Sequence, residues 1–109
     1  MAHALRGAAY RISTVGDKDT NLERALEDFN AALTVFTLEN SDKQWGNIMM
    51  MRALLYTDRK QGHFAENAQH AVADCEAAMH VFPRETFPKE WALAKATRAI
   101  AYNVLARFI

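Results

Sequence analysis

The chain has 109 residues, half of them hydrophobic, so it is long enough for one modest core and too short for two independent domains. Its 13 basic and 13 acidic residues give a formal net charge of zero, which excludes a strong overall attraction to nucleic acid or to an anionic membrane. The single Cys75 excludes an internal disulfide and favours a reducing, cytoplasmic location, and no apolar run approaches the ~20 residues of a membrane span.

Helix-forming residues dominate the composition, and only two prolines and four glycines interrupt them, so the predicted fold class is all-α. The first predicted helix covers about residues 2–14. Its two arginines, Arg6 and Arg11, and the lack of acids before Asp17 are also typical of a transit peptide. We favour a structural helix, because this segment keeps the register of an internal repeat described below.

The second predicted helix covers about residues 19–38. Its apolar residues recur at three- and four-residue intervals, as on one face of a helix: Leu22, Ala25, Leu26, Phe29, Ala32, Leu33 and Phe36. Thr20 and Glu23 have the spacing of a capping box, in which the two side chains bond to free amides of the first turn. The pattern therefore predicts an amphipathic helix from about Asp19 to Leu38.

Three more helices are predicted, over about residues 42–59, 64–82 and 88–108. Ser41 and Gln44 give the first of them a second capping box, and Gly62 marks the turn that follows it. Pro88 stands where a proline is tolerated, in the first turn of the last helix. The expectation is one domain, residues 1–109, with five helices.

The sequence repeats itself with a period of 46 residues and no gap. Tyr10, Tyr56 and Tyr102 share one register position, and the same shift relates a set of pairs. The pairs include Gly16 and Gly62, Asn21 and Asn67, Ala25 and Ala71, Asp28 and Asp74, Ala32 and Ala78, Phe36 and Phe82, Lys43 and Lys89, and Trp45 and Trp91. The repeating unit is a pair of helices, and each pair is expected to bury its apolar face against the next.

The repeat resembles the tetratricopeptide family, in which a small residue precedes a tyrosine by three positions on the first helix of each unit. The matching residues are Gly7 with Tyr10, Ala53 with Tyr56, Ala99 with Tyr102, then Ala25, Phe29 and Ala32, and lastly Ala71, Cys75, Ala78 and Pro83. The unit is longer than the usual length of about 34 residues, and arginine replaces the leucine before the small residue. The resemblance implies an α-solenoid of antiparallel helical hairpins that acts as a non-catalytic protein-interaction module.

The resemblance also implies a concave groove that binds a protein or peptide segment. By register, its candidate residues are Asn47, Met50, Met51, Leu54, Asp58, Leu93, Ile100 and Asn103. A groove with methionines suits an amphipathic helix, because thioethers adapt to different shapes. The alternative is that the run Ile48 to Met51 belongs to the core.

Arg6, Arg52 and Arg98 recur once per unit and could form a ladder of cations that holds a carboxylate or phosphate. The alternative is that each arginine pairs with an acid of an adjoining helix, such as Asp28 or Asp74. We favour the second interpretation.

The sequence offers little for catalysis or metal binding. His63, His70 and Asp74 could share a helical face, but their spacing lacks the close pairs typical of zinc sites. Cys75 occupies an apolar helical position, which predicts packing and not a reactive thiolate. We expect no catalytic site, no metal and no cofactor.

The last residues, Ala101 to Ile109, are largely apolar, with no further helix to cover them. We therefore expect self-association through a terminal helix, as a homodimer, or a fragment of a longer array. Two other functions remain open at this point: a nucleic-acid-binding helical repeat, and a regulatory fragment of a larger signalling protein. For the first, the balanced charge is unfavourable, and we expect neither nucleic acid nor membrane as a partner.

Overall fold

The computed structural model describes residues 18–59 and 63–107. Within these ranges the chain forms helices and no strand, which confirms the all-α prediction for this part of the chain. The four helices are α1 (Lys18–Ala32), α2 (Asp42–Asp58), α3 (Phe64–Val81) and α4 (Pro88–Ala106). The helix predicted over residues 2–14, with Arg6 in it, and the turn at Gly62 lie outside the described residues.

The predicted bounds of α2, α3 and α4 agree with the structure within about two residues, but the prediction for α1 is wrong at its end. The helix stops at Ala32 instead of continuing to residue 38. The amide of Thr34 and its hydroxyl both donate to the carbonyl of Ala31, at 3.1 and 2.6 Å. Thr37 and Asn40 then exchange two side-chain to backbone hydrogen bonds. These short polar side chains satisfy the backbone in a turn and so compete with the helix.

The two predicted capping boxes are also wrong. Thr20 is the third residue of α1, so it cannot be the residue that precedes the helix. Ser41 does precede α2, but its φ of −155° and ψ of 61° are not those of the usual extended cap, and its side chain makes no capping bond. Pro88 is the first residue of α4, as predicted.

The helices pack in chain order. Helix α2 contacts α1, α3 and α4, and α3 also contacts α4. Phe29 and Leu22 of α1 pack in one cluster with Ile48 and Leu55 of α2, and all four are almost completely buried. Each such side chain contributes about 1.5 to 3 kcal/mol when it leaves water. The core is therefore shared between successive helices.

The 46-residue period of the sequence reappears in the burial of side chains. Positions related by the period are at most 2% exposed on both members of five pairs: Ala25 and Ala71, Phe29 and Cys75, Ala32 and Ala78, Ile48 and Ala94, and Leu55 and Ala101. Helix α1 therefore presents to its neighbours the same register positions as α3, and α2 the same as α4.

On one face, the burial of α2 differs from that of α4. Gly46 of α2 lies so close to α3 that a Cβ atom there would be 2.7 Å from the ring of Phe82, and Ala53 is fully buried. The equivalent residues of α4, Ala92 and Ala99, are exposed. Helix α3 covers this face of α2, whereas no described residue covers the same face of α4.

Candidate functional site

Arg52 of α2 connects three helices. Its Nε and Nη2 atoms donate to the two carboxylate oxygens of Asp74 in α3, at 2.7 and 2.8 Å, and its Nη1 donates to Asn30 of α1 at 2.9 Å. The Asp74 side chain is only 5% exposed and that of Arg52 is 20% exposed. The hydrogen bonds to Asp74 raise the pKa of Arg52 above its usual value, against the opposing effect of burial. The interpretation that the recurring arginine pairs with an acid is therefore confirmed for Arg52.

Arg98, at the equivalent position of α4, has different surroundings. It makes no ion pair and no hydrogen bond with any residue of the described ranges, and its guanidinium carbon lies 5.8 Å from the centre of the Tyr102 ring. Arg6 lies outside the described residues. Of the two described arginines at this position, Arg52 is therefore ion-paired within the fold and Arg98 is not paired with any described residue.

The predicted groove residues fall into three classes of exposure. Asn47, Leu93, Ile100 and Asn103 are exposed, whereas Met51, Leu54 and Asp58 are partly buried. Met50 is 7% exposed and packs in one cluster with Ala78, Val81, Phe82 and Ala94. For Met50 the core interpretation is therefore the correct one, because the residue lies between α2, α3 and α4 and not on an accessible surface.

The accessible part of this surface is apolar where α4 forms it. Leu93 and Ile100 are 47% and 51% exposed and lie seven residues apart, hence on the same face of the helix. Leu54 of α2 is the register equivalent of Ile100, and α2 and α4 are in contact. We call Leu93 and Ile100 of α4, with Leu54 at the equivalent position of α2, the aliphatic strip.

A second candidate surface was not found from the sequence. Trp45, at the start of α2, forms an apolar depression of about 290 Å³ with Leu38, Ala77 and Val81, and Glu76 and His80 lie at its edge. Leu38 is 50% exposed and lies in the segment after the end of α1 at Ala32, where a helix had been predicted. The sequence did not indicate this depression, because the predicted end of α1 lies too late in the chain.

Arg59 forms a polar cluster that the sequence did not indicate either. It donates to both carboxylate oxygens of Glu23, at 2.7 and 2.6 Å, and to the side-chain oxygen of Asn67 at 3.0 Å. The hydrogen bonds from Arg59 lower the pKa of Glu23. The position 46 residues after Arg59 holds Leu105, so this cluster is not part of the repeat. It connects the beginnings of α1 and α3 through the end of α2.

Within residues 18–59 and 63–107, no three His, Cys, Asp or Glu side chains come together as a metal site would require. The same ranges hold no helix that is both long and apolar enough to cross a bilayer. Cys75 is fully buried in a cluster with Ala53, Ala71 and Ala101. Burial, with a further contribution from the charge of Asp74, raises the pKa of its thiol from 9.0 to about 11.

We expect Cys75 to react slowly with iodoacetamide in the folded protein. At pH 8 the raised pKa reduces the thiolate fraction by about 100-fold relative to an unfolded chain, and burial limits access further. Because the folded pKa is the higher one, the stability that the neutral thiol contributes is present below the unfolded pKa and is lost as the pH rises toward 11. Mass spectrometry of timed labelling, with and without urea, measures the ratio of the labelling rates of the unfolded and folded protein. Equal labelling rates would contradict the placement of Cys75 in the core.

No protein-family model matches the chain, and no curated protein or solved structure matches it.

Proposed function

We propose that the protein is a non-catalytic interaction module built as a tetratricopeptide-like α-solenoid. The support for this architecture is the recurrence of burial at positions 46 residues apart, together with the packing of each helix on the next. Such an arrangement presents a repeated surface on the helices that carry the tyrosines, which are α2 and α4. An intracellular location and self-association through a terminal helix accompany this proposal as predictions.

The observation that carries the function is the strip of aliphatic side chains on α2 and α4. Leu93 and Ile100 are large, half exposed and aligned, and Leu54 continues the strip at the equivalent position of α2. Exposed apolar groups that form a contiguous patch typically mark a binding surface. Asn47 and Asn103 are polar groups at the same surface and could bind the backbone or side chains of a partner. The partner of this strip is therefore a protein segment with an apolar face, such as an amphipathic helix.

The test places a photo-crosslinking amino acid at position 100 and, in a separate variant, at the exposed Ala73 of α3. Crosslinking in native lysate should yield a defined protein adduct from position 100 and not from position 73. Adding Leu93→Asp should remove the adduct, because a charge in an apolar contact costs binding energy. Circular dichroism should be unchanged, since Leu93 lies on the surface. The same adducts from both positions, or an adduct that survives Leu93→Asp, would contradict the proposal.

A further inference from the structure

The second exposed face of α4 lies beside the aliphatic strip and has a different composition. We define the outer face of α4 by five exposed residues at helical spacing: Ala92, Lys95, Ala99, Tyr102 and Ala106. Four of them are the register equivalents of Gly46, Met49, Ala53 and Tyr56, the residues of α2 that α3 covers. The structure therefore contains, between α2 and α3, an example of how such a face is occupied.

Helix α3 occupies the α2 face with small residues and one acid. Ala71 and Ala78 are completely buried, and Asp74 lies between them, one turn from each. Such small side chains allow two helices to approach closely, and at the other end of the same contact Gly46 leaves room for the ring of Phe82. Asp74 then reaches Arg52 with two hydrogen bonds. This face thus accepts a helix with alanine, aspartate and alanine at positions i, i+3 and i+7.

The charges of the outer face of α4 complement such a helix. Arg98 occupies the position of Arg52 and forms no ion pair within the described ranges, while the Lys95 ammonium lies on the face itself, 4.8 Å from the Trp91 ring centre. From Trp91 to Ala106 the helix has no acidic residue at all. Helix α3 carries Glu66, Asp74 and Glu76 and no lysine or arginine. Two copies of α4 placed face to face would instead oppose like charges.

We propose that the outer face of α4 binds one acidic, alanine-rich amphipathic helix of a partner protein, which places a carboxylate on Arg98. The inference rests on the proposed role as an interaction module but concerns a different surface from the aliphatic strip. Small residues make the close contact, and the bidentate ion pair sets the register of the bound helix. Tyr102, which is 49% exposed, becomes covered by the bound helix, as Tyr56 is covered by stacking on His70 with ring centres 4.9 Å apart.

The probe is a fluorescein-labelled peptide with the sequence of residues 63–82 and Cys75→Ala, titrated against the full chain by fluorescence anisotropy. Saturable binding is expected, and Arg98→Glu in the protein should weaken it at least about tenfold through the loss of the ion pair. A peptide with Asp74→Arg should bind the native protein weakly and recover about tenfold with the Arg98→Glu variant. This recovery shows that the peptide's acid contacts position 98, and the steric variant at the exposed Ala99 then distinguishes the outer face of α4 from exchange with the protein's own α3.

A steric variant tests the contact separately from the charge. Ala99→Trp should be tolerated in the free protein, since Ala99 is exposed, but should block the approach of the peptide. Ala73→Trp, at an exposed site of α3, is the matched control and should bind normally. The proposal would be overturned if the peptide bound the Arg98→Glu and Ala99→Trp variants as tightly as the native protein. It would also be overturned if a scrambled peptide of the same charge bound the native protein as tightly as the original peptide.

Two further outcomes would identify a different occupant and so also overturn the proposal. One is dimerisation of the protein, measured by sedimentation, that Ala99→Trp abolishes, which would make a second copy the occupant. The other is full competition by single-stranded DNA, which would make the basic surface a nucleic-acid site. Neither outcome bears on the aliphatic strip, since the crosslinking test at position 100 does not involve the outer face of α4.

Discussion

Replacing Arg52 with alanine is expected to destabilise the folded protein by about 3 kcal/mol or more. The substitution leaves the carboxylate of Asp74 inside the protein, 5% exposed, without its two hydrogen bonds from the guanidinium. It also removes the hydrogen bond between Arg52 and Asn30, so the polar connection that Arg52 makes from α1 to α3 is lost. Urea denaturation followed by circular dichroism measures the change in the free energy of unfolding.

The repeat supplies the matched control for this experiment. Arg98→Ala makes the same chemical change 46 residues later, where no described acid loses a partner, and should alter the free energy of unfolding by less than about 0.5 kcal/mol. The double variant Arg52→Met with Asp74→Leu should recover most of the loss, because it removes both buried charges. Equal losses for Arg52→Ala and Arg98→Ala would show that the buried ion pair has no special role.

Replacing Met50 with aspartate is expected to unfold most of the protein. Met50 is 7% exposed in the cluster between α2, α3 and α4, so the substitution removes an apolar side chain and buries an unpaired charge. Such changes cost more than about 4 kcal/mol, which is close to the whole stability of a small domain. Loss of the helical circular dichroism signal and of a cooperative thermal transition would be the direct readout.

The register equivalent of Met50 again provides the control. Ala96 of α4 is exposed, so Ala96→Asp should leave the thermal midpoint nearly unchanged. A folded Met50→Asp protein would mean that this side chain can turn toward solvent, and Met50 would then return to the list of groove residues. An unfolded Ala96→Asp protein would mean that the side of α4 with Leu93, Ala96 and Ile100 is covered in solution.

The sequence predicted three of the four described helices to within about two residues at both ends. Helices α2, α3 and α4 begin within a residue or two of their predicted starts, and the first residue of α4 is the proline that indicated it. The end of α1 was wrong, because its apolar spacing continues to Phe36 although the threonines and Asn40 bond the backbone into a turn. Periodicity indicates which face of a segment is apolar, but it does not indicate whether the backbone forms helical hydrogen bonds or bonds to nearby side chains instead.

The candidate sites were predicted only in part, for a related reason. The favoured interpretation, that the recurring arginine pairs with an acid of an adjoining helix, holds for Arg52 and Asp74 but not for Arg98, which forms no ion pair in the described ranges. Met50 and Leu54 looked alike in the sequence, yet one is buried and the other is partly accessible. The depression beside Trp45 depends on where α1 ends, so no local pattern could show it.

The sequence by itself determined the helical class, the 46-residue period and the set of side chains that the period places in the core, because helix propensity and the spacing of apolar residues are properties of the chain. Only the tertiary structure decided which of two equivalent faces is covered. Ala53 and Ala99, like Arg52 and Arg98, occupy equivalent positions of the repeat, but a neighbouring helix lies against only the first member of each pair in the described ranges. The burial, charge pairing and accessibility of a residue depend on that neighbouring helix, so the position of the residue in the repeat does not predict them.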